Sequence, residues 1–321
     1  MPKISVFFPF GMSRPEMLVP FAAYVQHSAA HRLWQGQAFA VDSYQSLSFA
    51  AGLGFRVPVG VAVSLMPLRH PYDAALQARS LAVATGNSVV AGFGPGAKSF
   101  QESLLGQAYR KPLVAVREYV TAVRGLLAEG FANQSGEEFH TQAVLQKLAT
   151  PPIEIGLGVL RPGMARLAGA VADVAICWMA PLRYLVSVVQ PALQQGADGA
   201  SRNPPRIVTV VPMAIAKPDR DPARLVLAGN FAHLRLPHYQ SMFALAGVPL
   251  DASDPEASAR ALVEKDVFLY GTAQELATKI RAYWSAGVDE VVINLAGVHR
   301  ECGMQAALSE IEEIVSEVAD R

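Results

Sequence analysis

The sequence predicts a single closed (β/α)8 barrel, a TIM barrel with one inserted region, and three observations predict it. Short apolar, often β-branched runs alternate along the chain with longer stretches of helical period. No break in composition divides the 321 residues, and 51% of them are hydrophobic against 17% charged, enough for one large continuous core. Strands linked by helical crossovers form parallel sheets, and seven or eight such units favour closure over an open doubly wound sheet.

The elements follow in order. Ile4 to Phe8 reads as a buried first strand and Arg14 to Ala30 as the helix after it. Gln37 to Ala40 is the candidate second strand, followed by an alanine-rich helix to Gly52, and Val57 to Val63 is a β-branched run typical of a parallel strand. Tyr72 to Thr85 is a helix stopped by Gly86-Asn87, after which Ser88 to Gly92 returns as strand. Leu113 to Ala128 is helical. Gly130 to Thr150 is polar, aperiodic and longer than an ordinary connection, so it reads as an inserted lid or hairpin within one domain spanning residues 1–321. Ile153 to Leu157 and Val174 to Cys177 are short strands flanking the helix Met164 to Ala172. Pro181 to Gln195 is helix, Arg206 to Ile215 a strong strand, and Ala273 to Ala286, Val288 to Leu295 and Gln305 to Ala319 give a last helix, strand and helix.

Composition narrows the function. The 27 basic and 27 acidic residues cancel, and no run of like charge would hold a phosphate backbone or an anionic membrane, so neither nucleic acid nor membrane is an expected partner. The apolar run after Met1-Pro2-Lys3 is too short for a signal peptide, and Cys177 and Cys302 form neither a disulfide framework nor a metal pair; a reducing cytoplasm is the expected location. His27 and His31 are four apart with no third ligand suggested, and no Gly-x-Ser-x-Gly elbow occurs, so neither metal nor covalent hydrolysis is expected.

Three segments are candidates for the site. Gly92-Phe93-Gly94-Pro95-Gly96 follows a strand, where glycines let backbone amides approach an anion; the plain structural reading is a tight turn. Its spacing is not that of a dinucleotide fingerprint. Gly156 to Met164 places Gly158, Arg161, Pro162, Gly163 and Met164 where a helix begins, so that helix dipole and guanidinium together suit a phosphate tail. Arg69-His70-Pro71 stands at another helix entrance, where His70 reads as a cap before it reads as a catalyst.

Taken in order, Trp34-Gln35-Gly36-Gln37-Ala38-Phe39 with Asp42, Leu68-Arg69-His70-Pro71, Ala91 to Gly96, Ala172 to Ile176, Tyr270-Gly271-Thr272 and Ala286 to Val292 resemble the bacterial luciferase-like superfamily, above all its coenzyme F420-dependent branch. The resemblance spans nearly the whole chain. It implies a cis peptide at the end of the third strand that places Ser64, Leu65 and Met66 behind a deazaflavin ring, with Gly92 to Gly96 and Gly158 to Met164 holding the phosphate. Many relatives carry an acidic residue and histidine where this chain has Gln37-Ala38, so Gln37 is expected to bond the cofactor or substrate instead. Asp42, His70 and Tyr270 remain as proton donors. The expected reaction is hydride transfer between the deazaflavin C5 and an electron-poor carbon of a small-molecule or peptide substrate, reduction of a dehydroamino acid C=C bond among the cases. The alternatives are an FMN-dependent monooxygenase shielded by the Gly130 to Thr150 insertion, and a non-catalytic binding barrel. A homodimer is expected.

Overall fold

The computed structural model describes residues 2–9, 12–251 and 253–319. Its strands are Lys3–Phe7 (β1), Leu33–Gln35 (β2), Val59–Leu65 (β3), Val89–Gly94 (β4), Phe131–Ser135 (β5), His140–Val144 (β6), Ile153–Gly158 (β7), Val174–Trp178 (β8), Arg206–Ile215 (β9), Leu269–Gly271 (β10) and Glu290–Asn294 (β11). Eight of them close a parallel barrel in the order β1-β2-β3-β4-β7-β8-β9-β11, with β11 pairing back to β1. The short β10 adds to the far end of β9, pairing Leu269 to Gly271 with Met213 to Ile215, outside the closed ring.

The second strand corrects the sequence reading. It is Leu33–Gln35, not Gln37 to Ala40, which runs on as a loop beyond the strand's end. Only three residues pair, yet all three are buried, and Trp34 supplies most of the bulk. A Cβ at Gly60 on the neighbouring β3 would sit 2.4 Å from the Trp34 ring, so glycine there makes room for the indole. The third strand also runs two residues later than the β-branched run suggests, because Pro58 lacks the N–H that strand pairing needs. The final helix begins at Ala296 and kinks at Gly303, whose φ is 85°.

The floor of the barrel, at the strands' N-terminal ends, is held by a buried charge network. The Glu290 carboxylate is fully buried and accepts hydrogen bonds from Ser5 Oγ at 2.7 Å and Trp34 Nε1 at 2.6 Å. Arg32 Nε lies 3.9 Å and Arg206 Nη1 3.6 Å from the same carboxylate, and Arg206 also forks onto Glu154. These contacts tie β1, β2, β7, β9 and β11 together across the barrel.

Strands β5 and β6 pair as an antiparallel hairpin. It lies along the outside of the helix Pro112–Ala128, where the Glu118 carboxylate accepts hydrogen bonds from the backbone N–H groups of Glu137, Glu138 and Phe139 at 2.8 to 2.9 Å. Among the described residues no helix is long and apolar enough to cross a membrane, and no three His, Cys, Asp or Glu side chains come together as a metal-ligand set.

Candidate active site

A cavity of about 1430 Å3 opens at the C-terminal ends of the strands, lined by residues at the strand ends, in the loops after them and on the helices Pro222–Leu234 and Pro237–Leu245. This is the face where a (β/α)8 barrel assembles side chains from several loops around one space. One wall is β3: Ala62, Val63 and Leu65 border the cavity, and the Ala62–Val63 peptide is cis. Pairing with β4 shifts register between Val61 and Ser64, so the strand bulges at this wall.

Of the three residues expected on that wall, Leu65 lines the cavity. Ser64 is turned to the Tyr44 hydroxyl at 3.3 Å, and Met66 is buried in the core. Gln37 lines the cavity too; its Nε2 donates to its own Ala38 carbonyl at 2.7 Å and its Oε1 accepts from Leu65 N–H at 3.3 Å, which ties the β2 loop to the β3 wall. Gln35, next to it in the lining, is nearly buried, and neither atom of its amide has a hydrogen-bond partner among the described residues. A buried amide left so is costly unless a ligand completes it.

The two glycine segments meet across this space. Gly94, Pro95 and Gly96 line it, while Gly92 and Phe93 are enclosed in β4. The loop is braced: Gln101 Nε2 donates to the Pro95 and Gly96 carbonyls at 3.0 Å each, and Gly96 takes a φ of 73° that favours glycine. The helix Lys98–Leu105 then starts at the cavity edge, with Ala97, Lys98 and Ser99 in the lining. Opposite, Gly158, Arg161 and Met164 line the cavity at the start of the helix Pro162–Val171, while Pro162 and Gly163 do not border it. The Tyr184 hydroxyl donates to the Leu160 carbonyl at 2.8 Å and fixes that loop. No carboxylate lies within 4 Å of Arg161 or Arg300 among the described residues.

Asp42, His70 and Tyr270 lie outside the lining. Asp42 caps the helix Ser43–Gly52 and pairs with Arg69 at 2.9 Å. His70 caps the helix Pro71–Thr85 through Nδ1 accepting from Tyr72 N–H at 3.2 Å, and the Tyr270 hydroxyl donates to the Arg220 carbonyl at 3.0 Å. No residue from 130 to 150 borders the cavity.

The side chains that sequence reading did not single out sit on the far wall. Trp178, at the end of β8, stacks on His233 with centroids 5.4 Å apart and planes at 27°. Tyr239 meets His233 edge-on at 5.0 Å, and His238 lies against Tyr239 at 5.0 Å. Burial, then the charges of His238 and Arg300, pull the His233 imidazole down to about 4. His233 and His238 come from the helices Pro222–Leu234 and Pro237–Leu245. The first has a readable start, since Asp221 caps it and proline fills its first turn.

The depressed imidazole has a consequence for stability. The unfolded chain binds this proton near pH 6.5 and the folded chain only near 4, so stability present above 6.5 is lost as pH falls through that window. His31, pulled down to about 4 first by burial, acts in the same direction. The urea midpoint is therefore expected to drop between pH 7 and pH 5 in the wild type, and to drop less in His233→Gln.

Solved structures share the whole fold. An F420-dependent secondary alcohol dehydrogenase in complex with an F420-acetone adduct matches with a TM-score of 0.76 at 18% identity, over 98% of this chain and 99% of its own. The FMN-bound oxygenating constituent of 3,6-diketocamphane monooxygenase from Pseudomonas putida matches at 0.73 and 16%, over 100% and 98%. In sequence, the chain is 28% identical to 5,10-methylenetetrahydromethanopterin reductase of Methanolobus tindarius over 184 residues, 57% of this chain and 55% of that protein. The luciferase-like monooxygenase model matches residues 4–290, and the chain belongs to that family.

Proposed function

We propose that the protein is a coenzyme F420-dependent oxidoreductase, holding the deazaflavin in the strand-end cavity against an organic substrate. The observation that carries this reading is the cavity itself, in which an apolar wall, two braced glycine loops and an unsatisfied amide surround one space. A deazaflavin has a flat ring system and a polar chain ending in phosphate and carboxylates, and the lining suits both parts. Ala62, Val63 and Leu65 offer the ring an apolar face, and Gln35 and Gln37 offer its polar edge amide groups. The backbone N–H groups of Gly94 and Gly96, the starts of the helices Lys98–Leu105 and Pro162–Val171, and the Arg161 guanidinium suit the anionic chain.

The bound deazaflavin supplies a two-electron hydride donor or acceptor at C5. The chain positions a substrate carbon against that ring and excludes water with Phe8, Ile176, Trp178 and Leu236. These apolar neighbours favour a largely apolar substrate, into which a peptide-borne C=C bond also fits. One curated relative, 26% identical over 119 residues, is named a putative coenzyme F420-dependent oxidoreductase of Mycobacterium tuberculosis, which supports the deazaflavin over FMN.

A binding comparison tests the placement of the chain. F420 is expected to bind at least about tenfold tighter than its phosphate-free core, and Arg161→Ala to remove most of that preference by deleting one charge-assisted contact. Equal binding of the two ligands by the wild type would place the anionic chain elsewhere.

A further inference from the structure

One basic side chain of the cavity has no part in holding F420. Besides its histidines, the lining carries Lys98, Glu102, Arg161 and Arg300. Lys98 and Glu102 pair with each other at 3.7 Å, and Arg161 stands at the second glycine loop. Arg300 has neither an ion pair nor a side-chain hydrogen bond among the described residues, and its neighbour Glu301 turns instead to Arg224 at 2.7 Å. Arg300 lies early in the helix Ala296–Ala319, after β11, and β11 is four strands round the closed ring from β4, whose end carries Gly94 to Gly96. A cofactor chain held by that loop and Arg161 therefore lies across the space from Arg300.

We propose that Arg300 is a specificity-determining residue that holds a carboxylate of the substrate, so that the protein acts on apolar organic acids. The inference rests on the F420 reading above. The guanidinium is exposed at the cavity, so a ligand reaches it without displacing packed side chains. The field around it is uniformly basic. After burial, the charges of His238 and Arg300 pull the His233 imidazole down, Arg300 acts likewise on His299 and Arg161 on His238, and no carboxylate offsets them. An anion entering this side meets attraction without a like charge to repel it. The guanidinium fork presents parallel N–H donors at the spacing of two carboxylate oxygens. Lys98 and Arg161 belong to the β4 and β7 side, so a single fork is available here, which suits one carboxylate better than a dianionic phosphate. Ile176, Trp178 and Leu236 line the same space, so the body joined to that carboxylate is apolar.

Ligand-observed NMR titration of the full chain loaded with F420 tests this at neutral pH, with cyclohexanecarboxylate, its uncharged carboxamide and cyclohexylphosphonate as probes. The wild type is expected to bind the carboxylate at least about tenfold tighter than the carboxamide, on the scale of one charge-assisted contact. Arg300→Gln is expected to bring the two within about twofold of each other, with F420 affinity and melting temperature nearly unchanged, because the side chain is exposed. Arg300→Lys keeps the charge without the fork and is expected to retain part of the preference. Failure of F420 to bind removes the cofactor reading and this inference with it. With F420 bound, equal affinity for acid and amide in the wild type, a preference that survives Arg300→Gln, or tighter binding of the phosphonate than of the carboxylate overturns the inference alone. Loss of F420 affinity in Arg300→Gln by about tenfold would place the cofactor's chain on this residue and overturn it too.

Discussion

Replacing Glu290 by alanine is expected to cost about 3–5 kcal/mol of stability, the scale for removing one member of a buried charge network. The carboxylate is fully buried, and its loss leaves Arg32, itself 2% exposed, beside Arg206 with no negative charge between them at that point. Burial already pulls the Arg32 guanidinium down, and Glu290 is the first group opposing that pull. Trp34 Nε1 and Ser5 Oγ would lose their acceptor as well. Urea unfolding measures the effect, and a loss under about 1 kcal/mol would show that water replaces the carboxylate at little cost.

The second large effect is on the cavity. A Cβ on Gly158 would stand 3.5 Å from both Val63 methyl groups and 3.7 Å from the Phe93 carbonyl oxygen, all ordinary contacts, so a side chain can start there without displacing the backbone. Gly158→Trp is expected to fill the gap between the β3 wall and the second glycine loop. F420 affinity should fall about 100-fold or more, roughly 2.7 kcal/mol, with the melting temperature nearly unchanged. Retained affinity would mean that the ring does not lie between Val63 and Gly158. Gly92 is unsuited to this experiment, because its Cβ would meet the Val61 carbonyl at 2.2 Å and disturb the barrel itself.

The closed barrel was legible because its signal is repeated: the β-branched runs of the barrel strands are buried on both faces, and helices such as Pro112–Ala128 and Ala273–Ser285 show one apolar side. Strand β2 was not, since three residues give no period and Trp34 is inward while polar Arg32 and Gln35 flank the apolar pair. The segments that carried the family resemblance belong mostly to the scaffold. Trp34 and Glu290, 256 residues apart, share a hydrogen bond in the barrel floor. Asp173 accepts from Ile155 N–H at 2.9 Å and pairs with Arg124 and Arg202. Thr272 forms a capping box with Glu275.

The cavity was half legible. Both glycine segments follow strands, a local pattern that a sequence displays, and Gly94 to Gly96, Gly158 and Arg161 do border the space. The wall of Trp178, His233, His238 and Tyr239 was not, because it forms only when β8 and two helices from a weakly patterned region converge. His70 shows the opposite case: conspicuous beside Arg69 and Pro71, it spends its Nδ1 on a helix cap.

Fluorescence titration of the purified protein with F420 and, separately, with FMN tests the central claim most directly, since it needs no substrate. Saturable F420 binding that Gly158→Trp abolishes, with FMN bound much more weakly, is the predicted result. Tight FMN binding with none for F420 would contradict it and make the cavity that of a flavin enzyme.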